Sequence, residues 1–298
     1  MNRVNSADAP QPRVYHPLMR KTLLLLLLAA SMIAAAPAPA VDAPPAAVPP
    51  GELGAKAALE TSPRHHEWVD LAPSGDAGKL SLFVAYPERR DKAPVVLLIH
   101  EIYGLTDWIR AVADRLAAEG FITIAPDMLA GRGPGGGGTE KFASRDDAVR
   151  AVRDLTPAYV TAALDAASRY GRSLPAANGK LATIGFCWGG AQSFSYATVR
   201  PELGAAVVYY GTSPDLSALA AIRAPVLGLY GEDDARVNAT VGPAEARLKE
   251  LGKTFLTATY PGAGHGFLRA QDGRDGANLA AALKAWPATV EFLRKHLE

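Results

Sequence analysis

The sequence predicts an α/β fold, a mainly parallel sheet with helices on both faces, and three observations carry that prediction. Short apolar runs alternate with longer amphipathic stretches from about Glu67 to the end of the chain. The central runs, of which Val95 to His100 is the clearest, read as strands buried on both sides. The chain has 298 residues, 49% of them hydrophobic, with 31 Lys plus Arg against 30 Asp plus Glu, which is enough to build a large core and excludes disorder over its whole length.

Taken in order, His66 to Leu71 and Lys79 to Tyr86 read as a hairpin, followed by the buried strand Val95 to His100. Thr106 to Glu119 places Ile109, Val112 and Leu116 on one helical face, and Phe121 to Ala125 is the next strand. A helix lies within Ser144 to Tyr170, where Pro157 must break or begin it. A strand over Lys180 to Gly185, a helix over Gly189 to Thr198, and strands over Ala205 to Tyr210 and Val226 to Tyr230 come next. A helix from Pro243 to Leu251, a strand from Thr254 to Tyr260 and a helix from Ala277 to His296 complete the pattern. In such folds function sits at the carboxyl ends of the strands.

The N-terminus is of another kind. Arg20 and Lys21 precede the apolar stretch Leu23 to Ala36, which Ser31 interrupts and Pro37 ends, short of the roughly 20 apolar residues a membrane span needs. Residues 1–40 are therefore expected to be a signal peptide, cleaved after Ala38-Pro39-Ala40, with an uncleaved anchor as the alternative. Cleavage removes Arg3, Arg13, Arg20, Lys21 and Asp8, taking the formal charge from +1 to −2. An exported protein, periplasmic or secreted and without stable membrane insertion, is expected. Residues 41–66 form a Pro- and Ala-rich lead, expected to be flexible, and residues 67–298 the folded domain.

Several classes drop out. A net charge near zero with interspersed signs offers no surface for nucleic acid, and one cysteine excludes a disulfide framework or a Cys-rich zinc site. Gly131 to Gly138 lacks the Gly-Lys-Ser/Thr ending of a phosphate loop and is expected to be mobile. Neither His65-His66 nor His100-Glu101 has the spacing of a zinc motif, so no metal and no organic cofactor is expected.

Gly185-Phe186-Cys187-Trp188-Gly189-Gly190 lies where a strand gives way to a helix, in the G-x-C-x-G pattern of a strained nucleophile turn. A thiol there, with an ordinary pKa of about 8.5, needs a base or a positive potential to ionise, and the following helix N-terminus supplies part of it. A buried structural thiol is the alternative. Nucleophile, acid and base should follow in that chain order. Gly231-Glu232-Asp233-Asp234 ends one strand and His265, between Gly264 and Gly266, follows the next. Asp234 is preferred to Asp233 as the acid, since either could instead cap the following segment.

These residues together resemble the dienelactone hydrolases, cysteine-dependent members of the α/β-hydrolase superfamily. The resemblance runs from about Trp68 to the C-terminus and rests on the motifs around Cys187, Gly231 to Val237, Ala263 to Phe267 and His100-Glu101-Ile102-Tyr103-Gly104. It implies a hydrolase of a lactone or ester that forms a thioester on Cys187, with His265 moving protons and Asp234 fixing its ring. It further implies that Glu101 contacts the thiol and helps to ionise it, with a helix-capping role as the alternative. The backbone N–H groups of Ile102 and Trp188 become the oxyanion hole, and Arg269 and Arg145 the groups that hold a substrate carboxylate. Val149 stands where the family has a tyrosine, and the run Gly135 to Gly138 has no family counterpart, which points away from the small dienelactone acid towards another lactone or an ester. A small-molecule substrate and a monomer are expected; a thiol acyltransferase, a non-catalytic ligand-binding module and a redox thiol are the alternatives.

Overall fold

The computed structural model describes residues 48–72 and 78–298. The expected signal peptide and residues 41–47 of the lead lie outside the described residues. Strands His66–Leu71 (β1), Leu80–Ala85 (β2), Ala93–Ile99 (β3), Ile122–Asp127 (β4), Ala177–Phe186 (β5), Ala205–Tyr209 (β6), Val226–Asp233 (β7) and Phe255–Gly264 (β8) form one sheet. Their order is β1-β2-β4-β3-β5-β6-β7-β8. The β1–β2 and β2–β4 pairs are antiparallel and every later pair is parallel. This is the expected mainly parallel sheet, and its order is that of an α/β-hydrolase.

The helices are Ala55–Glu60 (α1), Asp107–Ala118 (α2), Arg145–Arg153 (α3), Pro157–Ser173 (α4), Trp188–Val199 (α5), Ala235–Glu250 (α6) and Ala277–Leu297 (α7). All seven residues of β3 are buried, because its side chains alternate between two cores. Val96 and Leu98 join Trp108 and Leu116 of α2 and Trp286 and Leu293 of α7 on one face. Val95, Leu97 and Ile99 join Leu164 of α4, Phe194 of α5 and Leu248 of α6 on the other. Local signals set several ends: Thr106 caps α2, Ser144 caps α3, and Thr156 caps α4 with Pro157 in its first turn.

Two expectations need correction. Residues 48–65, assigned to a flexible lead, are structured: Ala55 is buried against the α2–α7 core, and Val48 and Leu59 pack on it. Carbonyls at Pro49 and Pro50 accept from Gln271 Nε2 at 2.9 Å and Trp108 Nε1 at 3.1 Å. Proline richness signalled a linker, but the carbonyls such a segment leaves free found partners in the domain. The helix expected from Pro243 begins at Ala235, with Pro243 inside it; the ring lies on the exposed face, so it costs one backbone bond without a clash in the core. Thr139, which follows the glycine-rich loop, donates through N and Oγ1 to Asp127 at 2.8 and 2.7 Å and accepts from Leu105 N at 2.9 Å.

Candidate active site

The turn from β5 to α5 sets Cys187 at φ 55° and ψ −115°, a positive-φ conformation outside the regions L residues ordinarily adopt, at a cost of about 1–3 kcal/mol. Its N–H donates to Tyr209 O at 3.0 Å and its carbonyl accepts from Ala191 N at 3.2 Å, so the turn is fixed on both sides. The flanking glycines are required by close approach. A Cβ on Gly185 would run into the Gly189 carbonyl, and one on Gly189 into the carbonyls of Ile99 and His100. As the first residue of α5, Trp188 has no helical carbonyl to receive its N–H.

Across the sheet edge, β7 ends in Asp233 and Asp234, and the two carboxylates separate cleanly. Asp233 is exposed and pairs with Arg274. Asp234 is buried, makes no capping bond to α6, and meets His265 Nδ1 at 2.5 Å. Asn238 Nδ2 donates to the carbonyls of Gly231 and Glu232 at 2.9 and 3.1 Å, and Glu232 accepts from Gly262 N at 2.9 Å, which ties the two strand-end turns together. His265 leaves β8 through Gly266 at φ 77°. Burial pushes its imidazole pKa down, but hydrogen bonding to Asp234 and to the Cys187 thiol, and their charges, outweigh that and raise it to about 9. The structure therefore brings Cys187, His265 and Asp234 together in the expected order.

Glu101 is buried at the start of the loop that follows β3, and burial pushes its carboxyl up to about 7 against the opposing charges of Arg269 and His265. Its Oε2 lies 2.7 Å from Arg269 Nε, a close ion pair in which the N–H does not point straight at the oxygen. The expected contact between Glu101 and the Cys187 thiol is thus replaced by a pairing with Arg269, because the guanidinium offers the buried carboxylate a full opposite charge. Nor does Glu101 cap α2, a place that Thr106 takes through Ile109 N at 3.5 Å.

Ile102 and Trp188 present their side chains to one small cluster with Leu129, Ala148 and Val152, beside the loop and helix start that carry their amides. The buried His100 fixes this corner. Its Nδ1 meets Glu101 O at 2.7 Å, Met128 N donates to its Nε2 at 3.3 Å, and its ring stacks on Trp188 at 5.4 Å. Burial pushes its pKa down, so the ring is neutral, donating at Nδ1 and accepting at Nε2.

Arg269 and Arg145 flank the ring of Tyr103 at 5.2 and 5.1 Å. A carboxylate does bind both guanidinium groups, and it belongs to the chain itself: Glu52 Oε2 accepts from Arg269 Nη1 at 2.6 Å, and its Oε1 pairs with Arg145. Sequence reading missed Glu52, which lay inside the presumed linker. It also missed Tyr210, at φ 38°, whose buried hydroxyl has no partner among the described residues and whose ring meets His265 at 5.2 Å.

The dienelactone hydrolase family model matches residues 80–297. The chain belongs to the dienelactone hydrolase family. A Methylorubrum extorquens protein provisionally named a carboxymethylenebutenolidase is 33% identical over 231 residues, covering 74% of this chain and 78% of that protein. Carboxymethylenebutenolidase 1 of Cupriavidus pinatubonensis is 30% identical, covering 74% of this chain and 93% of its own length. A solved Klebsiella pneumoniae protein, provisionally a dienelactone hydrolase, superposes with a TM-score of 0.65 at 28% identity, covering 76% of this chain and 98% of that one. This member of the dienelactone hydrolase family is accordingly a carboxymethylenebutenolidase-like ester or lactone hydrolase with a small-molecule substrate.

Proposed function

We propose that this hydrolase works through a thioester on Cys187 and that it does so outside the cytoplasm. The observation that carries the catalytic reading is the 2.5 Å contact of Asp234 with His265, made beside a cysteine on a strained, glycine-walled turn. An imidazole with its pKa raised to about 9 by Asp234 and by Cys187 beside it is placed to carry the proton between the nucleophile and the leaving group.

The Cys187 thiolate attacks the carbonyl carbon, and the carbonyl π electrons move to oxygen, which rests on the amides of Ile102 and Trp188. Such a donor is worth about 3 kcal/mol of barrier. Collapse of the intermediate breaks the ester C–O bond, and the imidazolium of His265 protonates the departing alkoxide. Water then attacks the thioester while His265 takes its proton, and the acid leaves as the thiolate is restored. Asp234 holds the ring in the tautomer both steps use. Glu101, paired with Arg269, acts on the site only through its charge, which lies within electrostatic reach of His265. The leader Arg20 to Ala40 supports export.

Protein recovered from the producing cell's envelope or medium tests both parts. Wild type should hydrolyse neutral lactones and p-nitrophenyl esters, Cys187→Ala should lose at least about a thousandfold in kcat/KM, and intact mass after a slow substrate should read a chain starting at Val41 with one acyl group. Turnover that survives Cys187→Ala, or an acyl group elsewhere, overturns the mechanism; a chain that keeps residues 1–40 overturns the cleaved leader.

A further inference from the structure

The two arginines that should hold a substrate carboxylate already hold one. We infer that Glu52 is a built-in counter-ion of Arg145 and Arg269, and that it fixes the substrate class of this enzyme as esters and lactones that carry no carboxylate of their own. The inference deepens the proposed function and rests on it for the reaction, though not for the binding.

Glu52 is bidentate, with one oxygen on each guanidinium. Arg269 is largely buried and Glu52 partly so, which makes that charge-assisted contact one that salt screens weakly, whereas Arg145 is exposed and its contact is screened more. Backbone contacts that owe nothing to its charge hold the segment in place. Glu52 N donates to Arg269 O at 2.9 Å, and the carbonyls of Pro49 and Pro50 are bound as described. On its other side Ala55 is buried, and Ser62 Oγ and Arg64 Nε donate to Asp114 at 2.5 and 2.7 Å. The acid is therefore anchored from both ends and does not swing on a free tether.

The charge balance follows. Arg145 and Arg269 supply two positive charges, and Glu52 and Glu101 can cancel both. An incoming carboxylate finds both guanidinium groups already paired and meets the like charge of Glu52, with a partial one on Glu101, an arrangement that selects against anions as much as it admits neutral substrates. The site remains close to the chemistry, since Arg269 touches Glu101, and Glu101 lies within electrostatic reach of His265.

The matched probes are dienelactone, which carries a carboxylate, and its neutral methyl ester. Wild type should prefer the methyl ester by about tenfold or more in kcat/KM, and Glu52→Gln should shift the acid-to-ester ratio towards the acid by at least about tenfold, chiefly through KM of the acid. Arg145→Gln added to Glu52→Gln should remove most of that gain. Glu52→Asp, too short to reach both guanidinium groups, should give a smaller shift in the same direction and serves where Glu52→Gln fails to fold. A wild type that prefers the acid, or a ratio that no variant moves, overturns the inference. Calorimetric titration of dienelactone into Cys187→Ala, with and without Glu52→Gln, keeps the two readings apart. Tighter binding in the double variant supports the counter-ion even if Cys187 proves not to be the nucleophile, and equal binding overturns it even if Cys187 is.

Discussion

Cys187, Asp234 and His265 reach one another from the ends of three parallel strands, whereas Glu52 reaches Arg145 and Arg269 from a short segment that belongs to no strand. The first group is placed by sheet register, with β5, β7 and β8 opening on one edge. The second is placed by side-chain and backbone contacts with residues as far away in sequence as Gln271. Register holds a catalytic geometry within narrow bounds because the whole core would have to move with it. A docked segment is held by a handful of bonds, and substitutions can alter it without touching the sheet. On the proposed function and the inference drawn from Glu52, chemistry sits on the rigid part, and selection of the substrate on the part that is easier to change.

The largest effect expected within the rigid part comes from Asp234→Asn, which leaves the shape but lets His265 take the wrong tautomer. Its kcat should fall by about 10²- to 10⁴-fold. Asp233→Asn is the matched control one residue away, and its exposed pair with Arg274 should be worth less than about 1 kcal/mol. Steady-state kinetics on the neutral ester decides between them, and equal losses in the two variants would reject Asp234 as the orienting acid.

The same contrast governs what could be read from the sequence. Cys187 stood out because a strained turn leaves a local imprint: Gly185, Gly189 and Gly190 are there to let backbones approach. His265 and Asp234 were legible because strand ends carry short, ordered signals in a fixed chain order. Asp234 and Asp233 flank the same strand end, and only in the structure do burial and the contact with His265 set Asp234 apart. The partner of Glu101 was not legible at all, because whether a buried carboxylate turns to a thiol or to a guanidinium depends on side-chain placement and not on spacing. Glu52 was hidden more deeply still. Its neighbours Pro49, Pro50 and Gly51 have the composition of a linker, and nothing within the segment announces that Trp108, Gln271 and Arg269 will bind it.

A middle-sized effect is expected where the docked segment is anchored. Asp114 on α2 accepts from Ser62, Arg64 and His66, with both Arg64 and Asp114 largely buried. Asp114→Ala strands those donors and should cost about 3 kcal/mol in urea denaturation. Burial pushes the Asp114 carboxyl up, but these donors more than offset it and hold its pKa below the ordinary value. Its contribution is thus present at neutral pH and lost as pH falls through its folded pKa, so the wild type and the variant should converge in acid. If the segment also places Glu52, Asp114→Ala should move the acid-to-ester ratio in the direction of Glu52→Gln. Loss of stability with no change in that ratio would show that the Pro49, Pro50 and Glu52 backbone contacts hold the counter-ion alone.

The smallest effect lies where the two regions meet, at Glu101. Burial lifts its pKa from 4.5 to about 7 in the folded protein. Below pH 4.5 it is protonated in both states and contributes no pH dependence. Between 4.5 and about 7 the unfolded chain has released its proton while the folded one keeps it, so stability falls as pH rises, by at most about 3 kcal/mol, and levels off above the folded value. Glu101→Gln has no proton to lose, and the stability of wild type relative to this variant should decline across that window. Taking the difference largely cancels His265, whose own raised pKa acts between 6.5 and about 9. A flat difference would mean that Arg269 already offsets burial in full. Removing Glu52 sharpens the test, because Arg269 then has Glu101 as its only acidic partner among the described residues and should pull its pKa down. In a Glu52→Gln background the window should therefore move to lower pH, and a window that stays in place would show that the docked segment and the catalytic edge do not share Arg269 electrostatically.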